Sequence, residues 1–226
     1  MAFNHQVAQK YELESHINWL KQDNNYKKIL DDIHDSVDGN KVKPHYLDMF
    51  FKGDLRTFNE FYVHSQYKTC MEIAGGICGV LPLWNNWLMG TKYSLDPLIQ
   101  ECDDWLKEQG ESWFNGIHLL NFGAEQYING LKPVDGFILW RNGFDHMDEG
   151  EKAIENTYKY AASGCRLYFW SDIKHLGHAD EGHHSVVDTP EEMEAMITKY
   201  GWKLLYKTPN IHDPKQFVEY GGVFIK

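Results

Sequence analysis

A glycine-rich segment that follows a short apolar run has the residue pattern of a ligand-binding turn. It reads EIAGGICG over residues 72–79 and continues into a second apolar run. A strand, a glycine turn and a helix start place backbone N–H groups at the carboxyl end of a sheet, where doubly wound folds bind nucleotides. The spacing A-x-G-x-x-G, with Ala74 in the first glycine position, predicts either a cofactor loop or a plain tight turn at Gly75 and Gly76.

An acidic side chain follows this turn at a spacing that suits a ribose. Asp96 comes 20 residues after Gly76, at the end of the predicted strand 92–95, and is followed by Pro97. A carboxylate at the tip of the second strand can accept hydrogen bonds from both ribose hydroxyls of a nucleotide. Asp96 before a proline is also a good helix N-cap. The order of turn and carboxylate within one strand–helix–strand unit favours the nucleotide interpretation.

A histidine just beyond the fourth predicted strand is the candidate catalytic base. His146 follows Asp145 in the segment NGFDHM. An imidazole can remove a proton from an acceptor near neutral pH. The alternative is a histidine that caps the helix beginning near Met147 or packs beside Phe144.

A second histidine segment, HLGHADEGHH over residues 175–184, follows the fifth predicted strand. Imidazoles and carboxylates bind zinc, but no H-x-x-x-H or H-E-x-x-H spacing fixes a ligand geometry here. We therefore expect no metal, and we interpret the segment as a loop that turns His178 and His183 toward a substrate.

These residues need a sheet to hold them, and the chain after Lys68 alternates short apolar runs with amphipathic segments. Strands are predicted over residues 69–74, 92–95, 117–122, 136–140, 166–170, 203–206 and 217–225. Helices are predicted to begin near Gly79, Pro97 and Glu149, and another precedes Lys203. This alternation predicts an α/β fold: a Rossmann-like, doubly wound, seven-stranded and mostly parallel sheet.

The end of the chain gives two more specific signals. Thr189, Pro190 and Glu192 supply an N-cap, a proline in the first turn and the carboxylate of a capping box, so a helix must start there. No helix separates the last two strands, which are therefore predicted to pair antiparallel as a hairpin at one edge of the sheet.

Residues 1–66 read as a separate helical extension, and residues 67–226 as the Rossmann-like domain. Apolar groups recur at helical spacing at Tyr26, Ile29, Leu30 and Ile33. We expect this extension to act as a lid, and its aromatic residues could supply a homodimer interface.

Length and composition exclude several classes of protein. The chain has 226 residues and a net charge of -11, from 33 acidic and 22 basic residues, which argues against nonspecific nucleic-acid binding. No apolar run reaches the roughly 18 residues of a membrane span, and the start of the chain lacks a targeting pattern. The 4 cysteines are far apart and form no C-x-x-C pair. We expect free thiols and a soluble cytoplasmic protein.

Taken in order, the segments EIAGGICG, LDPL, GAEQYI, VDGFILWRNGFDHM and SGCRLYFW resemble class I S-adenosylmethionine (SAM)-dependent methyltransferases. The resemblance covers roughly residues 68–226 and includes the final antiparallel pair. It is closest to the small-molecule methyltransferases that place N-x-x-D-H after the fourth strand. It implies SAM as the cofactor and transfer of a methyl group to a small molecule by in-line displacement.

The resemblance also implies roles for matching residues at the strand ends. The implied cofactor contacts are Glu72, Ala74, Gly75, Gly76 and Gly79 beside the methionine part, Asp96 and Pro97 at the ribose, Ala124 and Glu125 at the adenine, and Asn142 below them. The implied substrate contacts are Arg141, Asp145, His146, His178 and His183.

The glycine turn departs from the family pattern at two positions. Ala74 and Cys78 stand where the family's G-x-G-x-G turn has glycine. A methyl group at Ala74 fits if φ there is negative, whereas the larger Cys78 narrows the approach to the cofactor.

Two other functions are compatible with the same residues. One is a catalytically silent methyltransferase-like domain that binds a ligand or partner in the same cleft. The other is an NAD-dependent oxidoreductase, which uses a similar turn and carboxylate. Against the oxidoreductase, the turn lies a third of the way along the chain, and too little sequence follows for a substrate domain.

Overall fold

A computed structural model of the chain describes residues 54–76, 79–85, 88–176, 187–209 and 217–226, together with 13–15, 17–18 and 21–22. The predicted apolar stripe over residues 26–33, Cys78, His178 and His183 lie outside these ranges.

From residue 54 onward, helices and strands alternate as the sequence pattern predicts. In chain order they are α1 (Leu55–Ser65), β1 (Cys70–Ile73), α2 (Val80–Leu83), β2 (Lys92–Leu95), α3 (Ile99–Glu108), β3 (His118–Leu120), β4 (Phe137–Arg141), a 3-10 turn (Phe144–His146), α4 (Gly150–Tyr160), β5 (Arg166–His175), α5 (Pro190–Lys199), β6 (Lys203–Lys207) and β7 (Phe217–Ile225).

The strands form one sheet in the order β3-β2-β1-β4-β5-β7-β6. The neighbours from β3 to β5 pair parallel, and β7 pairs antiparallel with both β5 and β6. The predicted doubly wound sheet and its antiparallel C-terminal pair are confirmed. The antiparallel β7 between β5 and β6 departs from the strand order 3-2-1-4-5-6 of dinucleotide-binding domains, which weakens the oxidoreductase alternative.

Strand β5 is longer than predicted. Its apolar run ends at Trp170, but the strand continues to His175 because residues from Ser171 onward pair with β7 as far as Phe217. Strand β3 is shorter than predicted, since only three residues pair with β2 at this edge of the sheet.

The two faces of the sheet are buried by different helices. Face A, the side that carries Tyr168 and Trp170, packs against α1, α2 and α3. Face B, the side that carries Leu167 and Phe169, packs against α4 and α5. Because side chains alternate between the faces of a strand, the face of a polar residue near a strand end follows from its apolar neighbours.

Helix α5 begins as its local sequence predicts. The Thr189 hydroxyl accepts a hydrogen bond from the Glu192 N–H at 3.2 Å, and the Glu192 carboxylate accepts one from the Thr189 N–H at 3.1 Å. This capping box satisfies N–H groups that lack partners within the helix. Among the described residues, no helix combines the length and apolar character needed to cross a bilayer.

Candidate functional site

The chain leaves β1 through a turn that is organised by a buried carboxylate. Glu72 is only 1% exposed, and its oxygens accept hydrogen bonds from the N–H groups of Val80 at 2.6 Å and Leu81 at 2.9 Å. These donors belong to the first turn of α2, where backbone N–H groups have no partner within the helix. The carboxylate of Glu72 therefore ties the end of β1 to the start of α2.

Two glycines of the turn make room for this carboxylate. A Cβ built on Gly75 would lie 2.7 Å from Glu72 Cδ, and one built on Gly79 would lie 2.6 Å from Glu72 Oε2. Burial raises the pKa of Glu72, while the two backbone hydrogen bonds and the charge of Arg141 act in the opposite direction. The structure thus gives Glu72 a role in shaping the turn, and its implied contact with a cofactor stays a prediction.

The tips of β1 and β4 both pass through left-handed backbone conformations at residues other than glycine. Ala74 has φ +53° and Asn142 has φ +68°. The condition under which a methyl group at Ala74 would fit without strain, a negative φ, is therefore not met. The Ala74 N–H donates to the Leu95 carbonyl at 2.9 Å, which continues the β1–β2 ladder just before the chain turns back. Backbone of this kind costs about 1–2 kcal/mol per residue and often marks functional sites.

These two tips are in close contact. A Cβ built on Gly143 would lie 2.8 Å from the Ala74 Cβ, so glycine is needed at residue 143 for both turns to fit. The Asn142 N–H donates to the Trp170 carbonyl at 2.6 Å, which fixes the β4 tip against β5.

Asp96 joins the glycine turn to the next helix. One carboxylate oxygen accepts a hydrogen bond from the Gly76 N–H at 3.0 Å, and the other accepts one from the Leu98 N–H at 2.8 Å. The second contact closes a turn ahead of α3 and is not the predicted helix cap, because the N-cap residue of α3 is Leu98, which has no side-chain cap. The first brings the turn and the carboxylate together at the carboxyl edge of the sheet. The implied ribose contact of Asp96 stays a prediction.

A cavity of about 460 Å³ lies beside this junction. Its lining residues are Pro97, Asn121, Phe122, Gly123, Glu125, Gln126, Asp148, Glu149 and Lys152. Pro97 and Glu125 were expected from the sequence. Ala124 does not line the cavity: it is buried, and its carbonyl accepts a hydrogen bond from Asn156 Nδ2 at 3.1 Å.

The sequence reasoning did not identify most of the residues that line this cavity. Asp148, Glu149 and Lys152 come from the segment before α4 and from its first turn, where acidic and basic residues are common on any exposed surface. In the sequence, their position a few residues after the N-x-x-D-H segment could have indicated that they lie near the site. Only the packing of α4 beside the β3 loop shows that they border the same space as Pro97.

The segment after β4 holds the candidate acceptor residues on a short 3-10 turn. Asp145 is buried, whereas His146 is partly exposed. His146 Nε2 lies 3.9 Å from Asp145 Oδ1, too long for a hydrogen bond but within reach of an ion pair if the imidazole is protonated.

Ser171 supports this turn, although the sequence reasoning did not identify it. The Ser171 hydroxyl accepts a hydrogen bond from the Phe144 N–H at 3.3 Å and lies 3.4 Å from Asn142 Oδ1. Ser171 follows directly after the apolar run of β5, so its sequence position places it at the same edge as the β4 tip.

Over the described part of the chain, no group of three or more histidine, cysteine or acidic residues is placed to hold a metal ion. His178 and His183 lie outside that part, so the expected substrate-facing loop stays a prediction.

Solved structures share this architecture at low sequence identity. A SAM-dependent methyltransferase from Aquifex aeolicus gives a TM-score of 0.55 at 15% identity, covering 81% of this chain and 94% of that one. The N-methyltransferase NodS from Bradyrhizobium japonicum, in complex with S-adenosyl-L-homocysteine (SAH), gives 0.55 at 14% identity, covering 90% and 98%. The [4+2]-cyclase SpnF gives 0.52 at 14% identity, covering 67% and 57%.

At these identities the likeness establishes the fold, which is that of the class I methyltransferases. The sequence itself matches no protein-family model and no curated protein. Since a cyclase shares the fold, the function has to be argued from the site.

Proposed function

We propose that this chain is a SAM-dependent methyltransferase that acts on a small-molecule acceptor. The observation that carries the proposal is the contact between the Gly76 N–H on the β1 turn and the Asp96 carboxylate at the end of β2. A glycine turn beside an acidic residue at this edge suits the ribose of a nucleoside cofactor. The adjoining cavity, about 460 Å³, falls within the usual range of ligand pockets, about 300–1,000 Å³.

The residues at this edge fit SAM in their chemistry. Asp96 offers carboxylate oxygens to ribose hydroxyls, and the backbone of the turn from Ala74 to Gly76 is free of bulky side chains. When bound, SAM supplies an activated methyl group on a sulfonium sulfur. The task of the chain is then to align the acceptor and exclude water. His146, close to Asp145, is the candidate base for an acceptor that must lose a proton.

The alternative of a silent domain has one observation in its favour. Ala74 adopts a left-handed conformation where glycine would be unstrained, and its methyl group lies at the tip of β1. A domain that only binds a ligand would tolerate this strained backbone and its methyl group more easily than an enzyme that must align a cofactor for methyl transfer.

The remaining expectations belong to the same proposal. We infer a cytoplasmic location, since the described cysteines Cys70, Cys102 and Cys165 are free and buried. Burial raises the pKa of Cys70 to about 11 and that of Cys165 to about 12, so neither is a reactive thiolate near neutral pH. Net charge supports the absence of nucleic-acid partners. A lid formed by residues 1–66 and a homodimer are parts of the proposal that need their own tests.

Isothermal titration with SAM and with SAH tests the proposal directly. We expect saturable binding of both, with no binding of NADH. If the protein does not bind SAM at millimolar concentration, the proposal is refuted. Binding of NADH alone would favour the oxidoreductase, and binding of SAM without methyl transfer to any acceptor would favour the silent domain.

Replacement of Asp96 tests the site itself. Asp96→Ala should weaken SAM binding about ten-fold or more, because a hydrogen-bonded carboxylate is lost. Asp96→Asn keeps an acceptor for the Leu98 N–H and so separates the role of Asp96 in the turn before α3 from the ribose contact. Asp104→Ala, on the exposed side of α3, is the control for loss of an acidic residue. Unchanged affinity in Asp96→Ala would mean that Asp96 only holds the two turns together.

A further inference from the structure

A single methyl group lies between the turn after β1, residues 74–76, and the turn after β4, residues 142–146. A Cβ built on Gly143 would lie 2.8 Å from the Ala74 Cβ, so the Ala74 methyl group contacts the Gly143 backbone. Carbon atoms that are not bonded to each other approach to about 3.5–4.0 Å. A second methyl group at residue 143 would therefore push the two turns apart by about 1 Å.

The contact joins the two sides of the proposed site. Ala74 opens the glycine turn, in which the Gly76 N–H donates to the Asp96 carboxylate at 3.0 Å. Gly143 is the N-cap residue of the 3-10 turn that ends at His146, the candidate base. We call the first turn the cofactor turn and the second the acceptor turn. The spacing between the two depends on how closely their backbones approach at this methyl group.

Each of the two turns is also held on its far side by hydrogen bonds. The Ala74 N–H donates to a carbonyl of β2 at 2.9 Å. The Asn142 N–H donates to the Trp170 carbonyl at 2.6 Å. The Phe144 N–H donates to the Ser171 hydroxyl at 3.3 Å. Because these bonds tie the cofactor turn to β2 and the acceptor turn to β5, a change of size at the contact would have to strain or break some of them.

Left-handed backbone lies on both sides of this contact. Ala74 has φ +53°, Asn142 has φ +68° and Gly143 has φ +82°. Strained backbone of this kind persists only where the surrounding contacts determine it, and it is often part of how a site works. A glycine at residue 74 would adopt the same φ without strain. The chain instead has the methyl group at residue 74 and the glycine opposite it, at residue 143.

We propose that Ala74 and Gly143 are a matched pair of positioning residues, in which one methyl group sets the spacing between the cofactor turn and the acceptor turn. The inference rests on the proposed methyltransferase function and deepens it. Methyl transfer requires donor and acceptor to be aligned, and a misplacement of about 1 Å can lower a rate about a hundred-fold. Two methyl groups push the turns apart, and none leaves a gap. The Ala74 methyl group is then a working part of the site rather than a sign of a silent domain.

An exchange of the two residue types tests the pair. Gly143→Ala adds a second methyl group, Ala74→Gly removes the first, and the double variant moves the single methyl group from one turn to the other. Isothermal titration with SAH measures affinity without turnover. We expect SAH to bind Gly143→Ala about ten-fold or more weakly and Ala74→Gly about three-fold more weakly, but the double variant within about two-fold of the wild type. Such non-additivity indicates direct contact between the two positions.

Gly116→Ala is the control for backbone strain alone. Gly116 has φ +78°, close to the +82° of Gly143, but a Cβ built on it has no neighbour within 4 Å. It lies in the turn that leads into β3, away from the cofactor turn. We expect this variant to bind SAH with the wild-type affinity. Thermal unfolding of all variants shows whether each one is folded.

Hydrogen exchange followed by NMR measures the acceptor turn without any cofactor. The N–H groups of Asn142 and Phe144 both donate to β5, so a displaced acceptor turn exposes them to solvent. We expect both to exchange about ten-fold or more faster in Gly143→Ala than in the wild type, because local opening sets the exchange rate. The double variant should return both rates to those of the wild type.

Three results would overturn the proposal. If Gly143→Ala weakens SAH binding equally in the wild type and in Ala74→Gly, only the backbone strain at residue 143 matters. If Gly143→Ala leaves either the SAH affinity or the exchange rates unchanged, the contact does not set the spacing of the turns. If the wild type binds neither SAM nor SAH, the proposed function is refuted, and the exchange rates still decide whether the pair sets that spacing.

Discussion

Two of the turns that lead into strands differ from the turns that follow β1 and β4. Gly110 and Gly164 come before β3 and β5, adopt positive φ, and have open space where a Cβ would lie. At the opposite edge, Ala74 and Asn142 hold positive φ without being glycine. There, Gly79 has an ordinary φ of −65° but is closely surrounded.

The difference shows that glycine does two separate jobs in this molecule. At Gly110 and Gly164 it relieves the backbone, because only glycine adopts positive φ without strain. In the turn after β1, it makes room for the Glu72 carboxylate. Backbone strain at non-glycine residues is concentrated where β1, β2 and β4 end together, and such concentration is typical of sites that bind or react.

The largest effect should come from adding a methyl group to the crowded turn. Gly79→Ala would place a Cβ 2.6 Å from Glu72 Oε2, a buried atom held by the Leu81 N–H. We expect a loss of about 3 kcal/mol in the free energy of unfolding, the upper end for an overpacked core. Urea denaturation followed by circular dichroism measures it.

Gly164→Ala is the matched substitution in an open turn. It should lower the free energy of unfolding by about 1 kcal/mol, because the added Cβ has no close neighbour and the cost comes only from the strained backbone. Equal losses in the two variants would remove the distinction between the two kinds of turn.

The second prediction concerns the buried carboxylate. Glu72→Gln replaces one acceptor oxygen by an amide NH₂ group, which cannot accept from the Val80 or Leu81 N–H. Near pH 4.5, the ordinary pKa of Glu72, the variant should be about 2 kcal/mol less stable than the wild type, the range for an unsatisfied buried donor.

The pH dependence of this difference has a defined sign. Because burial raises the pKa of Glu72 in the folded state, its contribution to stability is fully present below the unfolded pKa and is lost as pH rises through the folded one. The advantage of the wild type over Glu72→Gln should therefore shrink as pH increases above 4.5. Glu101→Gln, at an exposed site, should show no such trend. An advantage that grows with pH would contradict the raised pKa.

The smallest effect should come from relieving the strained alanine. Ala74→Gly removes a left-handed strain of about 1–2 kcal/mol but adds unfolded-chain entropy worth about 0.5–1 kcal/mol. A net gain of about 0.5 kcal/mol is expected, measured as a shift in the urea midpoint. Ala195→Gly, within α5 and exposed, should instead lose about 1 kcal/mol. A loss at both positions would show that the Ala74 methyl group stabilises the turn by packing.

The elements themselves could be predicted because their signals are local. Strands Lys92–Leu95 and Phe217–Ile225 have the predicted bounds, since apolar runs flanked by turn residues mark both. Helix α5 starts where Thr189 and Pro190 indicate, because a capping box is complete within four residues.

Prediction failed where the signal depends on a distant partner. The second half of β5 is polar and looks like a loop until β7 pairs with it. Most residues that line the cavity were not predicted, for the same reason. The charged residues near the start of α4 line the cavity only because α4 packs beside the loop that follows β3.

The sequence alone therefore determined the α/β class, the antiparallel final pair and the presence of Glu72, Asp96 and a glycine turn at strand ends. These depend on residue periodicity and local turn chemistry. The tertiary structure decided which groups meet. It buried Glu72 against α2, forced Ala74 into a left-handed conformation, and set Asp172 opposite Glu219. Each of these depends on strand register and on packing between segments far apart in the chain, which no local pattern specifies.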